Sequence, residues 1–264
     1  MTRPLAPDEL VEHAIERSTG HGCVVLLDET RTANLRWAGN TLTTNGQTRG
    51  RSMTVVAVTG DGPGSSAGVL SRTVSDRADV AALVADAEAI AADAPAEQSA
   101  AALVPGARQP TFDHPPVEAG IDVFAGLTGE LAHVLGAASA DGIAQYGYAE
   151  HVVTTTYLAT SADLRHRHVQ PEGHLTVTAK DDTSSTWAGR PTRDFTDVDL
   201  PAIDEELRTR LDWSHRSVEL SPGRYRTVLP PSSVADLSIY AYWEMSAQAA
   251  HEGRTVYADP GHGT

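Results

Sequence analysis

Between residues 143 and 188 the chain carries four or five runs in which β-branched residues dominate and alternate with other types, among them HVVTTTYLAT, LRHRHVQ and HLTVTAK. Successive side chains of a strand point to opposite faces, so such runs call for half-buried strands with one face on a core. A second set of strands is expected nearer the N-terminus, over 23–27, 33–38, 52–59 and 67–74, with Asn45-Gly46 and Asp61-Gly62 as turn signals. Helical periodicity flanks both sets. A helix over 7–18 gathers Leu10, Val11, Ala14 and Ile15 on one face, has acids at 8 and 9, and ends before Gly20. A second, over 77–92, lines up Val80, Leu83, Val84, Ala87, Ile90 and Ala91 behind a capping Asp76. Further helices are expected over 123–138, with Phe124, Leu127, Leu131, Val134 and Leu135 as a buried stripe, and over 201–212, with Ile203, Leu207 and Leu211. After a strand pair broken at Pro222-Gly223, a last helix runs over 232–250, with Ser233 and Asp236 at capping-box spacing.

These elements predict an α+β chain. An N-terminal helix–antiparallel sheet–helix unit (1–95) is followed by a Pro/Ala-rich linker (96–116), and then by a second α+β region (117–222) with a mainly antiparallel sheet. The stretch from Pro95 to Pro116 contains five prolines and shows little periodicity, which is the composition of a boundary.

Length and charge narrow the function. At 264 residues the chain can bury a sizeable core, and 35 acidic against 20 basic residues give a net charge of −15, which repels phosphate backbones and anionic lipid. Direct nucleic-acid and membrane partners are therefore not expected. Arg165, Arg167, Arg190 and Arg193 lie among histidines and acids and read as a solvated mixed surface. The single cysteine, Cys23, rules out an internal disulfide framework and reads as a buried core residue. The polar N-terminus and the lack of any run of 18 apolar residues predict a soluble, cytoplasmic protein.

Several segments invite a chemical reading. GDGPGSSAG, residues 60–68, has the glycines of a phosphate cradle but no following helix or nearby lysine, and reads as a hairpin turn. In HRHVQPEGH, His166 and His168 share one strand face and His174 follows; they are polar residues on an open sheet face, lining for a peptide channel, or part of a metal site that lacks a fourth ligand. No GxSxG nucleophile motif is present. His251 and Glu252 begin a zinc-peptidase helix signature that is not completed, since position 255 is Thr and position 256 is Val. The pair also reads as an exposed helix end, where a histidine complements the dipole.

Three stretches carry a family resemblance: GVLSRTVSDRADVAALVADAEAIAADA at 68–94, LRHRHVQPEGHLTVTAKDDTSSTWAG at 164–189, and YRTVLPPSSVADLSIYAYW at 225–243 followed by EGRTVY. Together they resemble the TldD/TldE family of metallopeptidases, also called PmbA or "modulator of DNA gyrase" proteins, and within it the TldE branch. The resemblance implies a peptide-processing heteromer in which a TldD-like partner carries zinc on an HExxxH helix and the TldE-like subunit carries none. It implies no catalytic or metal residue and no cofactor in this chain. His166, His168, His174, His251 and Glu252 remain candidate peptide-channel or interface residues. It also makes 223–264 the start of a C-terminal domain that is mostly missing. The alternatives are an autonomous metal-dependent hydrolase and a protein-binding modulator of gyrase or toxin–antitoxin systems.

Overall fold

The β-branched runs fuse into strands much longer than the separate segments expected. In a computed structural model, which describes residues 5–98, 100–216 and 218–258, the chain divides into two compact units, one ending at Ser217 and one starting at Val218. The first unit is built on one six-stranded sheet in the order β3-β2-β1-β4-β5-β6, with every neighbouring pair antiparallel. Its strands are β1 (Gly22–Ala38), β2 (Thr41–Thr59), β3 (Ser66–Arg72), β4 (Ala144–Thr160), β5 (Arg165–Lys180) and β6 (Ser185–Thr192). The mixed α+β class and the leading helix–sheet–helix arrangement are as the sequence predicts.

All helices of this unit pack on one face of the sheet, and β1 shows why. Its odd-numbered side chains Cys23, Val25, Leu27, Ala33, Leu35 and Trp37 are buried, while the even-numbered ones from Val24 to Asn34 are only partly covered and Arg36 and Ala38 are exposed. The first three join a core under α1 (Pro7–Arg17) and α2 (Arg77–Asp93). The last three join a second core under a 3-10 turn (Ile121–Phe124), α3 (Ala125–Ala140) and α4 (Leu200–Ser214). Stretch 121–140 is long and apolar enough to cross a membrane. Leu127, Leu131, Val134 and Leu135 are nevertheless buried in the second core, which makes it a core helix. No helix of the first unit covers the opposite sheet face, where Thr30, Thr32, Thr154, Thr156, Thr176 and Thr178 are half-buried.

Several sequence boundaries shift. Stretch 96–116 does not separate two sheets: β1, from before it, pairs along its length with β4, from after it. Part of it becomes a strap that continues to residue 120 and crosses the helix-covered face between the two cores. Along it Phe112 is buried, the His114 carbonyl accepts from Tyr157 Oη at 2.5 Å, the Pro115 carbonyl accepts from Arg167 at 2.7 Å, and Val117 N–H donates to Thr155 Oγ1 at 3.2 Å. Prolines discourage regular pairing in a packed strap as much as in a free linker, so composition cannot separate the two. Asn45-Gly46 lies inside β2 opposite Leu35 and Asn34; the β1–β2 turn is Gly39-Asn40, with φ of 55° and 63°. That left-handed pair matches the twist of a two-residue hairpin.

The second unit holds α5 (Pro231–Glu244) and α6 (Ala247–His251), neither with a buried residue. The single helix expected over 232–250 is interrupted at Met245-Ser246, where Ser246 caps α6 by accepting from Ala249 N–H at 3.3 Å. The strand pair expected around Pro222-Gly223 is not formed among the described residues.

Candidate functional site: a polar seam between two cores

Where one core gives way to the other, β1 puts charge on the buried face. Glu29 and Arg31 occupy core-facing positions and are 3% and 9% exposed. Arg31 donates to Glu29 at 3.1 Å, and Arg51, opposite Glu29 on β2, donates to the same carboxylate. Arg31 Nε stands 3.7 Å from Glu118 of the strap, which also pairs with Arg49 at 3.1 Å. A carboxylate that deep is tolerable because two guanidiniums neutralise it.

Beside this network the seam opens into a cleft of about 660 Å³ between the strap and the segment after β6. Val153, Val169 and Pro171 form an apolar floor, with Val117 from the strap and Arg193 from the opposite wall. His151 of β4 also lines the cleft, at 6% exposure. Its Nε2 lies 3.0 Å from the Arg193 carbonyl oxygen, which can only accept, so Nε2 carries the proton. Nδ1 is buried and has no partner among the described residues. Bonds from Thr196, first its hydroxyl and then its N–H, hold the Asp194 carboxyl below the usual range, helped by the charge of Arg193. Burial pushes the Tyr157 phenol up, partly offset by its bond and charge interaction with Arg167.

Among the described residues the hydrogen-bonded partner of His151 is a backbone carbonyl, not a hydroxyl or thiol. The seam has the shape and the apolar floor that recognition needs. Cys23 is buried at the opposite end of β1, where burial pushes its thiol up.

The histidines singled out by sequence lie elsewhere. His166, His168 and His174 stand on the open face of β5, opposite Leu158, Thr156 and Glu150. His168 lies 3.2 Å from Gln170 Oε1, and the His174 ring centroid is 5.6 Å from that of Tyr148. At about 3.3 Å per residue His174 is roughly 20 Å along the strand from His168, so the three cannot share one ion. In the second unit His251 ends α6, and Glu252 accepts from Gln248 at 2.9 Å and from Arg254; these bonds hold its carboxyl below the usual range. Among the described residues no three His, Cys, Asp or Glu side chains come together in metal-binding geometry.

Sequence reasoning missed Glu29, Arg31 and His151. The signal was present: with the alternation of 23–27 continued at period two, positions 29 and 31 fall on the core face. The strands expected over 23–27 and 33–38 leave both positions out.

No family model and no curated protein sequence matches the chain. Among solved structures, TldE from Thermococcus kodakarensis aligns with a TM-score of 0.62 at 12% identity, over 81% of this chain and 49% of that protein. A candidate modulator of DNA gyrase from Bacteroides thetaiotaomicron VPI-5482 aligns with a TM-score of 0.67 at 12% identity, over 95% of this chain and 58% of that one. The chain thus spans about half to three-fifths of the length of these proteins. At such identity the likeness lies in the path of the backbone, and on that path this chain has a TldE/PmbA-like fold.

Proposed function

We propose that the chain serves as a TldE/PmbA-like, non-catalytic subunit, or a portion of one, in a TldD/TldE-type zinc metallopeptidase that processes or degrades peptides in the cytoplasm. The backbone likeness to TldE carries the proposal. The donor set agrees with it. His251 and Glu252 are followed by Thr255 and Val256, so a helix there offers one imidazole where a zinc-peptidase helix needs two, and among the described residues no three possible ligands come together elsewhere. Zinc does not fit the described residues and belongs in the proposal to a TldD-like partner. The partner would supply the metal and the general base, and this chain would supply walls and peptide contacts.

Co-expression with a TldD-like subunit tests this. The isolated chain should bind no stoichiometric zinc and cleave no peptide, and the co-purified complex should cleave unfolded peptides in a zinc-dependent way. Stoichiometric zinc with hydrolysis by the isolated chain would support an autonomous hydrolase instead. The name of the Bacteroides protein favours a second reading, modulation of gyrase. With a net charge of −15, such an action would run through protein contact, and gyrase retained by the immobilised chain would mark it.

A further inference from the structure

Part of the outer edge of β5 has no neighbouring strand. β6 pairs with it only from Gly173 to Lys180. At the other end Arg165 N–H donates to the Ala107 carbonyl at 3.2 Å, Gln109 N–H donates to the Arg165 carbonyl at 2.8 Å, and Arg167 N–H donates to Gln109 Oε1 at 2.7 Å. The main-chain groups of successive strand residues point to opposite edges. Since Arg165 and Arg167 point outward, Val169 N–H and C=O and the carbonyls of Arg167 and Pro171 face the gap. None of them has a partner among the described residues. A proline suits position 171, because its ring replaces an N–H that would have faced the same opening. From Arg167 to Gly173 the gap measures roughly 20 Å, room for about five residues of extended chain.

A second cavity, of about 560 Å³, lies along this edge and shares Val169, Pro171 and Arg193 with the seam cleft. A strand lying in the gap would place alternate side chains beside Val169 and Pro171, at the rim of the seam. We infer that the gap is a binding site for an extended polypeptide, which adds to the edge of β5 through its main chain. Val169 supplies one donor and one acceptor at the spacing of a single peptide residue, which complements a main chain rather than a compact metabolite. The inference rests on the proposed peptide-handling role and locates it on this chain.

The test uses the full chain and a fluorescein-labelled peptide of alternating Thr and Val flanked by lysines. Binding is followed by anisotropy and by amide hydrogen exchange at Val169. Val169 N–H should become protected when peptide is added. N-methylating the alternate peptide residues that face β5 should weaken binding about tenfold, and N-methylating the intervening ones should not. Val169→Pro should match the first effect, since the lost N–H points away from β4. The methylated peptide leaves the protein unaltered, so a folding defect in Val169→Pro does not spoil the test. Equal binding of the methylated peptides, no binding, or Val169 protection that depends on protein concentration without peptide would overturn the inference; the last would mean that two copies pair at this edge. Peptide binding that persists while a complex with a TldD-like subunit fails to hydrolyse would overturn the proposed function and leave this site standing.

Discussion

At the scale of single residues, the least replaceable group is a charge. Glu29 is almost fully buried and answers both Arg31 and Arg51. Glu29→Gln keeps the shape and removes the charge, leaving a buried guanidinium without its counter-ion. It should lower unfolding stability by about 3 kcal/mol in a urea titration. Gly147 is constrained by space: it lies opposite Trp37, and a β-carbon there would run into the indole ring. Gly147→Ala should cost about 2 kcal/mol, visible as a lower Tm, while Trp37→Phe in the same background should recover part of the loss. Both residues were readable only in retrospect. The sequence shows a glycine and an acid, but not the ring or the arginines they meet across strands.

At the scale of elements, local chemistry was legible where the element closes on itself. Asp76 accepts from Ala78 N–H at 2.8 Å and Asp79 N–H at 3.0 Å, and the helix it caps begins at Arg77 as expected. Asp76→Ala should cost about 1 kcal/mol, checked by thermal unfolding, and Asp76→Ser much less. The stripes of α1, α2, α3 and α4 likewise fall on buried residues, apart from Ile90, which is exposed, and Ile15, which is partly buried, because a helix advertises its buried face at a fixed period. Strand length was not legible. The polar positions 28–32 resemble an interruption, yet β1 runs through them because partners on both sides, β2 and β4, supply main-chain bonds and the strap supplies charge. The cleft escaped notice for the same reason: its walls come from β4, β5, the strap and the segment after β6, which no local window contains.

At the scale of the whole molecule, long-range carboxylate links join the helical layer to the sheet and the strap. Glu12 of α1 holds Arg165 of β5 at 2.8 Å and Arg108 at 2.8 Å, and its carboxyl lies below its ordinary value of 4.5, mainly through the Arg165 bonds. Glu88 of α2, despite the opposing effect of burial, is also held below 4.5, by the N–H groups of Thr19 and Gly20 and the hydroxyls of Thr19 and Ser18. A carboxylate whose folded pKa is depressed adds stability above its unfolded pKa and loses it as pH falls through the folded value. Acid should therefore weaken the first unit below about pH 4.5, and replacing both residues with Gln should flatten that part of the stability curve followed by circular dichroism. The shared strand sets a different kind of limit. β1 is roughly 55 Å long and lends alternate residues to both cores, so adding one residue at its middle would turn either Val25 and Leu27 or Leu35 and Trp37 toward solvent. In a library of single-residue insertions, the middle of β1 should tolerate none and the open loop at Gly62–Gly64 many. A lineage carrying this fold could lengthen its loops freely but would have to inherit the central strand residue for residue.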